Sequence, residues 1–234
     1  MDQVETTIGT VANASEADRS DYLRQVSLWT LGGLTLTALV SLLSALWIVP
    51  AVYHGGKWAV IAVVYGSFLL SQTVVRKMVY GDNKILGFVL GTALQGIALG
   101  FLLMITLSFG DVGNGLALIG NCLVIVLLTG AAMTMYVTLS KHSFSLIGAG
   151  ISMVTLPLLG LMALQLIFPI GGTLGIVIAS VFTIISAATL LYQLNAVINK
   201  MHPSMAVQGA YELTLSLVVF FWNLLSLFNR LRRR

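Results

Sequence analysis

Of the 234 residues, 58% are apolar and only 9% carry charge, against roughly 25% charged in soluble domains. A water-facing shell cannot be built from so little charge, whereas helices that face lipid need none, so the composition excludes an ordinary soluble domain and points to the bilayer. The formal net charge of +4 does not indicate nucleic-acid binding, because four of the twelve basic residues are Arg230, Arg232, Arg233 and Arg234, and no basic face with interleaved aromatics appears elsewhere.

Residues 1 to 25 hold five of the eight acids, Asp2, Glu5, Glu16, Asp18 and Asp21, together with Arg19 and Arg24. They lack the basic start and apolar core of a signal peptide and read as a polar N-terminal arm. Ser15 followed by Asp18 is a helix-start pattern, and Tyr22, Leu23 and Val26 form one apolar side, so a short interfacial helix is expected to lead into the first span. The Asn13-Ala-Ser sequon has no meaning if this arm is cytosolic.

Crossing a bilayer as a helix takes about 20 apolar residues. That ruler gives seven segments, near 26–49, 58–75, 85–109, 115–139, 144–168, 174–197 and 206–228, which make up a seven-helix transmembrane domain over 26–228. Between them lie Pro50 with Gly55 and Gly56, then Arg76, Lys77 and Lys84, then residues 110–113, Lys141, residues 169–172, and Lys200 to Pro203. The expected fold is all-α, followed by a basic tail over 229–234.

Short cytoplasmic loops retain positive charge. With the N-terminus inside, the inner loops take Arg19, Arg24, Arg76, Lys77, Lys84, Lys141 and Lys200, and the outer turns take Lys57 alone. The C-terminal arginines fall outside if the last segment crosses and inside if it re-enters. Length favours a crossing, and charge favours an inside tail.

The third segment carries Gly87, Gly91, Gly96 and Gly100, two small-xxx-small pairs that let backbones approach closely. Packing within the bundle is the expected use, with a dimer interface as the alternative. Cys122, the single cysteine, sits in an apolar run; it can form neither an internal disulfide nor a cysteine-based metal site, and reads as a small buried side chain.

On the last segment Gly209, Glu212, Ser216, Asn223 and Ser226 recur at intervals of three, four and seven, which puts them on one helical face. A carboxylate and an amide facing hydrocarbon would cost a few kcal/mol, so this helix is expected to lie centrally. Glu212 is the one acid well inside a span. It is either a proton or cation site or a paired structural group near the membrane edge. Gln193 and Asn195 near the end of the sixth segment, and Gln72, Gln95, Asn121 and Gln165 on the second to fifth, are read chiefly as amides that hold helices together.

Enzyme chemistry has no foothold. There is no Walker loop, no His-Glu-x-x-His and no Gly-x-Ser-x-Gly. His54, His142 and His202 are scattered over loops, so no metal site and no cofactor is expected.

Two stretches carry a family resemblance. Residues 24–41, RQVSLWTLGGLTLTALVS, and residues 191–228, with LYQLNAVINK and AYELTLSLVVFFWNLLSLF, resemble the opening and closing segments of the Bax-inhibitor family. The resemblance implies seven helices with the last surrounded by the others. It also implies a pH-sensitive calcium leak governed by two aspartates that share a proton. Those positions fall on Gln193 and Ser216, which cannot ionise, so the pair is absent; Glu212, one turn before Ser216, could replace the lost charge.

Serine at the second position and the closing SLVVFFWNLLSLF look more like a bacterial branch whose members associate with a membrane-bound ATP-dependent protease through an N-terminal arm. The sequence therefore favours, by a small margin, a partner in membrane protein quality control or stress survival. A cation leak centred on Glu212, Ser216, Gln193 and Asn223 is the alternative. The bilayer, the protease and calcium ions are the expected partners, and the bacterial cytoplasmic membrane, with a cytosolic N-terminus, is the location implied.

Overall fold

The computed structural model describes residues 9–108, 111–139 and 172–232. Regular structure among them is helical throughout. After a single turn at Val11–Asn13 come six helices long and apolar enough to span a membrane: α1 (Glu16–Tyr53), α2 (Gly56–Val79), α3 (Lys84–Ser108), α4 (Val112–Leu139), α5 (Gly172–Lys200) and α6 (Ala206–Arg232). Six spans are thus described, not the seven expected; the fifth expected segment, 144–168, lies outside the described residues, as do His142 and Gln165.

The start of α1 follows the sequence pattern. Ser15 Oγ accepts from the Asp18 backbone N–H at 3.2 Å and donates to the Asp18 carboxylate at 2.6 Å, which satisfies one of the free N–H groups at the helix start. The helix expected to lead into the first span is continuous with it: α1 runs unbroken from Glu16 to Tyr53. Tyr22 and Val26 are buried against the bundle instead of lying along a membrane surface.

Pro50 does not end α1 either. A proline ring crowds the carbonyl four residues back. Here a wide π-helical turn over Ser44–Ile48 immediately precedes it, and the helix continues to Tyr53 before turning at Gly55 and at Gly56, whose φ is +79°. Two more π-turns interrupt α2 at Ser71–Val75 and α5 at Ala196–Lys200. Such a turn takes an extra residue and disturbs the helical hydrogen-bond ladder. In both cases a buried tyrosine hydroxyl donates to a carbonyl of the turn: Tyr211 to Ser71 at 2.7 Å and Tyr22 to Val197 at 3.0 Å. Without water in the hydrocarbon region, these side chains do what solvent would do in a soluble protein.

α6 is the hub. It packs against α1, α3, α4 and α5, and meets α2 through Trp222 against Phe68 and through the segment at Arg76–Val79. Most of its residues are buried, while Trp47, Leu139 and many other apolar side chains of the outer helices face outward. An exterior of that kind matches lipid, and its extent far exceeds the apolar patches soluble monomers expose. α3 and α6 run in the same direction, with Gly91 beside Tyr211 at one end and Thr106 bonded to Asn229 at the other. α6 therefore crosses the full height of the bundle, which sets Arg230 and Arg232 at the end opposite Arg19, Arg24 and Arg76.

The four glycines of α3 mark its closest approaches. A Cβ on Gly87 would lie 2.7 Å from the Val79 backbone nitrogen, one on Gly91 2.5 Å from the Tyr211 ring, one on Gly96 2.8 Å from the Thr37 carbonyl and one on Gly100 2.7 Å from the Ser41 carbonyl. Backbone cannot rotate away as a side chain can. Gly96→Val and Gly100→Val should each lower stability by about 1–3 kcal/mol through overpacking, whereas Gly32→Ala, where a Cβ meets nothing within 4 Å, should be neutral or slightly stabilising. Thermal melts in one detergent would rank the three; equal melting temperatures would refute the packing described.

Candidate functional site

Glu212 sits in the second turn of α6 and is 4% exposed. A carboxylate so placed must be paired or protonated, because desolvating an unpaired charge is prohibitive. Arg76 Nε donates to its Oε1 at 2.9 Å and the Tyr80 hydroxyl donates to the same oxygen at 3.0 Å. The guanidinium also lies 6.0 Å from the centroid of the Tyr80 ring, within reach of a cation–π attraction. The three side chains form a clasp joining the central helix to the last turn of α2 and the residue after it.

The partners differ in their access to water. Arg76 is 46% exposed, so it reaches in from the bundle end, and the pair's strength must be discounted for solvent screening on that side. Burial pushes the Tyr80 phenol up to about 12; the nearby Glu212 carboxylate adds to the rise and Arg76 opposes it. Tyr80 therefore stays protonated and remains a donor across the physiological range.

Local structure explains why Arg76 arrives there. It is the first residue after the π-turn Ser71–Val75, and the carbonyl of Ser71 is held by Tyr211, the residue before Glu212. Consecutive residues of α6 thus fix both ends of the π-turn. The Tyr211 ring occupies the space that a side chain at Gly91 would need, so Gly91 is glycine for the sake of the clasp.

The residues expected to act with Glu212 are placed less closely. Ser216 is buried one turn further along the same face, and Gln193 on α5 and Asn223 on α6 are half-buried. Among the described residues Glu212 bonds to Arg76 and Tyr80, and none of those three side chains joins it. Gln208, one turn before Glu212, is also buried, and its side-chain oxygen has no hydrogen-bond partner among the described residues; its four-residue spacing from Glu212 could have placed it in the seam. Arg76 and Tyr80 had no comparable signal, since their approach depends on how α2 ends. Gln95, read as an amide joining helices, is fully buried, yet among the described residues neither atom of its amide has a partner. Among the described residues no group of three metal-binding side chains gathers anywhere.

Removing Arg76 should cost more than removing the charge it meets. Arg76→Ala leaves a buried carboxylate without its cation and should destabilise by about 1–3 kcal/mol after discounting for exposure; adding Glu212→Gln should recover part of that loss. Denaturation of the wild type, both single variants and the double variant closes the cycle. Strict additivity would show that the two side chains do not interact.

A model of the family described as Inhibitor of apoptosis-promoting Bax1 matches residues 19–233. No curated protein gives a significant match. The matched stretch takes in α2 to α6 whole and all of α1 but its first residues, including every member of the clasp. With spans of membrane length and nearly the whole chain matched, this integral membrane protein belongs to the Bax inhibitor family.

Proposed function

We propose that this member of the family is a proton-gated cation leak, held shut by the Arg76–Glu212–Tyr80 clasp. The observation that carries the reading is a buried acid on the central helix whose cationic partner is half in water. The ionised pair is joined by a charge-assisted bond, stronger than its neutral counterpart. A proton on Glu212 removes that advantage and leaves Arg76 free to complete its hydration. Because α6 touches every other described helix, a shift of its second turn is felt through the bundle. Gln208, Ser216 and Asn223 continue the polar seam along which a cation would pass, with Gln193 on the neighbouring α5.

Sign and order follow from the chemistry. The charge-assisted bond to Arg76 needs a carboxylate at Glu212, so a proton there is the proposed opening signal and the leak opens on the acid side. With Gln193 and Ser216 in place of two acids, the seam holds Glu212 instead of a coupled pair. In a bacterial cytoplasmic membrane with the N-terminus inside, Arg76 faces the cytosol, so cytosolic acidification is the signal.

Reconstituted into liposomes with a calcium reporter, the wild type should show greater influx at pH 6 than at pH 8. Glu212→Gln should leak at both, with its pH dependence gone, and Arg76→Ala should leak at pH 8. No influx at any pH from correctly folded protein would remove the leak and return attention to association with a membrane-bound ATP-dependent protease, for which the bacterial-branch resemblance is the support.

A further inference from the structure

The first described residues are bound into the same end of the bundle as the clasp. Val11 is fully buried although it lies before α1, and its backbone N–H donates to the Met201 carbonyl at 2.9 Å. Met201 begins the link between α5 and α6, and its own N–H donates to the Ala196 carbonyl, closing the π-turn that ends α5. Eleven residues after Val11, the buried Tyr22 hydroxyl donates to Val197 within that π-turn and lies 3.7 Å from Met201 Sδ. A Cβ at Gly209 would lie 2.9 Å from the same hydroxyl and 3.1 Å from Val197. Gly209 is therefore the opening in α6 that lets Tyr22 reach the elbow.

We propose that residues 11–22 form a strap over the α5–α6 elbow that keeps the first turns of α6 in place, and with them Glu212, so that lifting the strap loosens the clasp without any change of pH. Two residues of the strap anchor it: the Val11 backbone bonds to Met201, and the Tyr22 hydroxyl bonds to Val197 and packs on Gly209. Gly209 is three residues before Glu212, so both lie on the same face in adjacent turns. The π-turn is what makes the elbow dependent on the strap, because the Val197 carbonyl takes its bond from Tyr22.

The inference rests on the proposed leak, and the test separates the two. Cys122→Ser removes the native thiol, and Ser204→Cys places a single reporter in the elbow, where Ser204 is exposed. Maleimide labelling then reads elbow mobility and liposome calcium influx reads the gate, both at pH 8. Val11→Asp, which sets a charge in the buried site, and Tyr22→Phe, which removes only the hydroxyl, are each compared with the unstrained parent. A rise of threefold or more in labelling rate with a matching rise in influx at pH 8 is expected, larger for Val11→Asp, with Glu212→Gln showing no further rise when Val11→Asp is added. Unchanged labelling would overturn the strap, and faster labelling without influx in a protein that still leaks at pH 6 would overturn its control of the gate. A wild type without influx at any pH removes the leak and this regulation together, even where labelling still responds. Tyr22→Phe guards against misfolding, since it alters one hydrogen bond and keeps the ring.

Discussion

Hydrocarbon offers no hydrogen bonds, so every polar group that this chain takes into the bilayer must find its partner within the chain. The arrangement around α6 follows from that constraint. The buried Glu212 carboxylate is partnered by Arg76 and Tyr80, and they reach it because α2 carries a π-turn just before Arg76. The carbonyl exposed by that turn is taken by Tyr211, whose ring requires Gly91 opposite. A chain of four dependencies thus leads from one buried carboxylate to a glycine on another helix. The same logic recurs at α5, where the π-turn carbonyl of Val197 is met by Tyr22 and the space for Tyr22 is left by Gly209. Two π-turns, two tyrosines and two glycines make the same device twice at one end of the bundle.

Two kinds of polar contact hold the helices of this bundle together. Around α3, the Thr37 hydroxyl bonds to the Thr92 carbonyl and the Ser44 hydroxyl to the Ile97 carbonyl, beside glycines that bring the backbones together. Those contacts are neutral. At Arg76 the contact is charge-assisted and its cation is partly exposed, and it joins α6 to a helix whose hydrogen-bond ladder is interrupted at Ser71–Val75. Elements with weakened internal bonding and exposed partners are the ones that open at least cost. The distribution of bonds therefore sets where motion begins.

The sequence revealed the parts of this arrangement governed by local rules. Ser15 with Asp18 marked the start of α1, the apolar runs marked the described spans, and the seam through Glu212 and Ser216 marked α6 as interior. Each depends on spacing along one helix. The rest depended on relations between helices or on departures from ideal helix geometry. Pro50 was read as a stop because nothing in the local sequence announces the π-turn that accommodates it. Arg76 counted as loop charge, since its role depends on how α2 rotates at Ser71–Val75. Val11 looked like part of a polar arm because one apolar residue among polar ones carries no periodic signal. Gln95 differs: an amide in a span was expected to join helices, yet neither atom of its buried amide has a hydrogen-bond partner among the described residues.

The absence of a second acid at Gln193 or Ser216 changes what kind of switch the bundle can be. Two carboxylates sharing a proton bring their own repulsion, and that repulsion is what spreads their titration and forces them apart when both ionise. A lone Glu212 has no such internal drive. Its partner is a cation, Arg76, from a segment that can reach water. Closure is then an attraction between helices instead of a balance between two acids, and its strength depends on whatever positions the two ends. On the α2 side that is the π-turn fixed by Tyr211; on the α6 side it is the elbow fixed by Val11 and Tyr22. A switch built on attraction can be opened by a proton or by displacing either end, and this is the physical reason for the proposed gate and the proposed N-terminal strap to occupy the same end of the bundle.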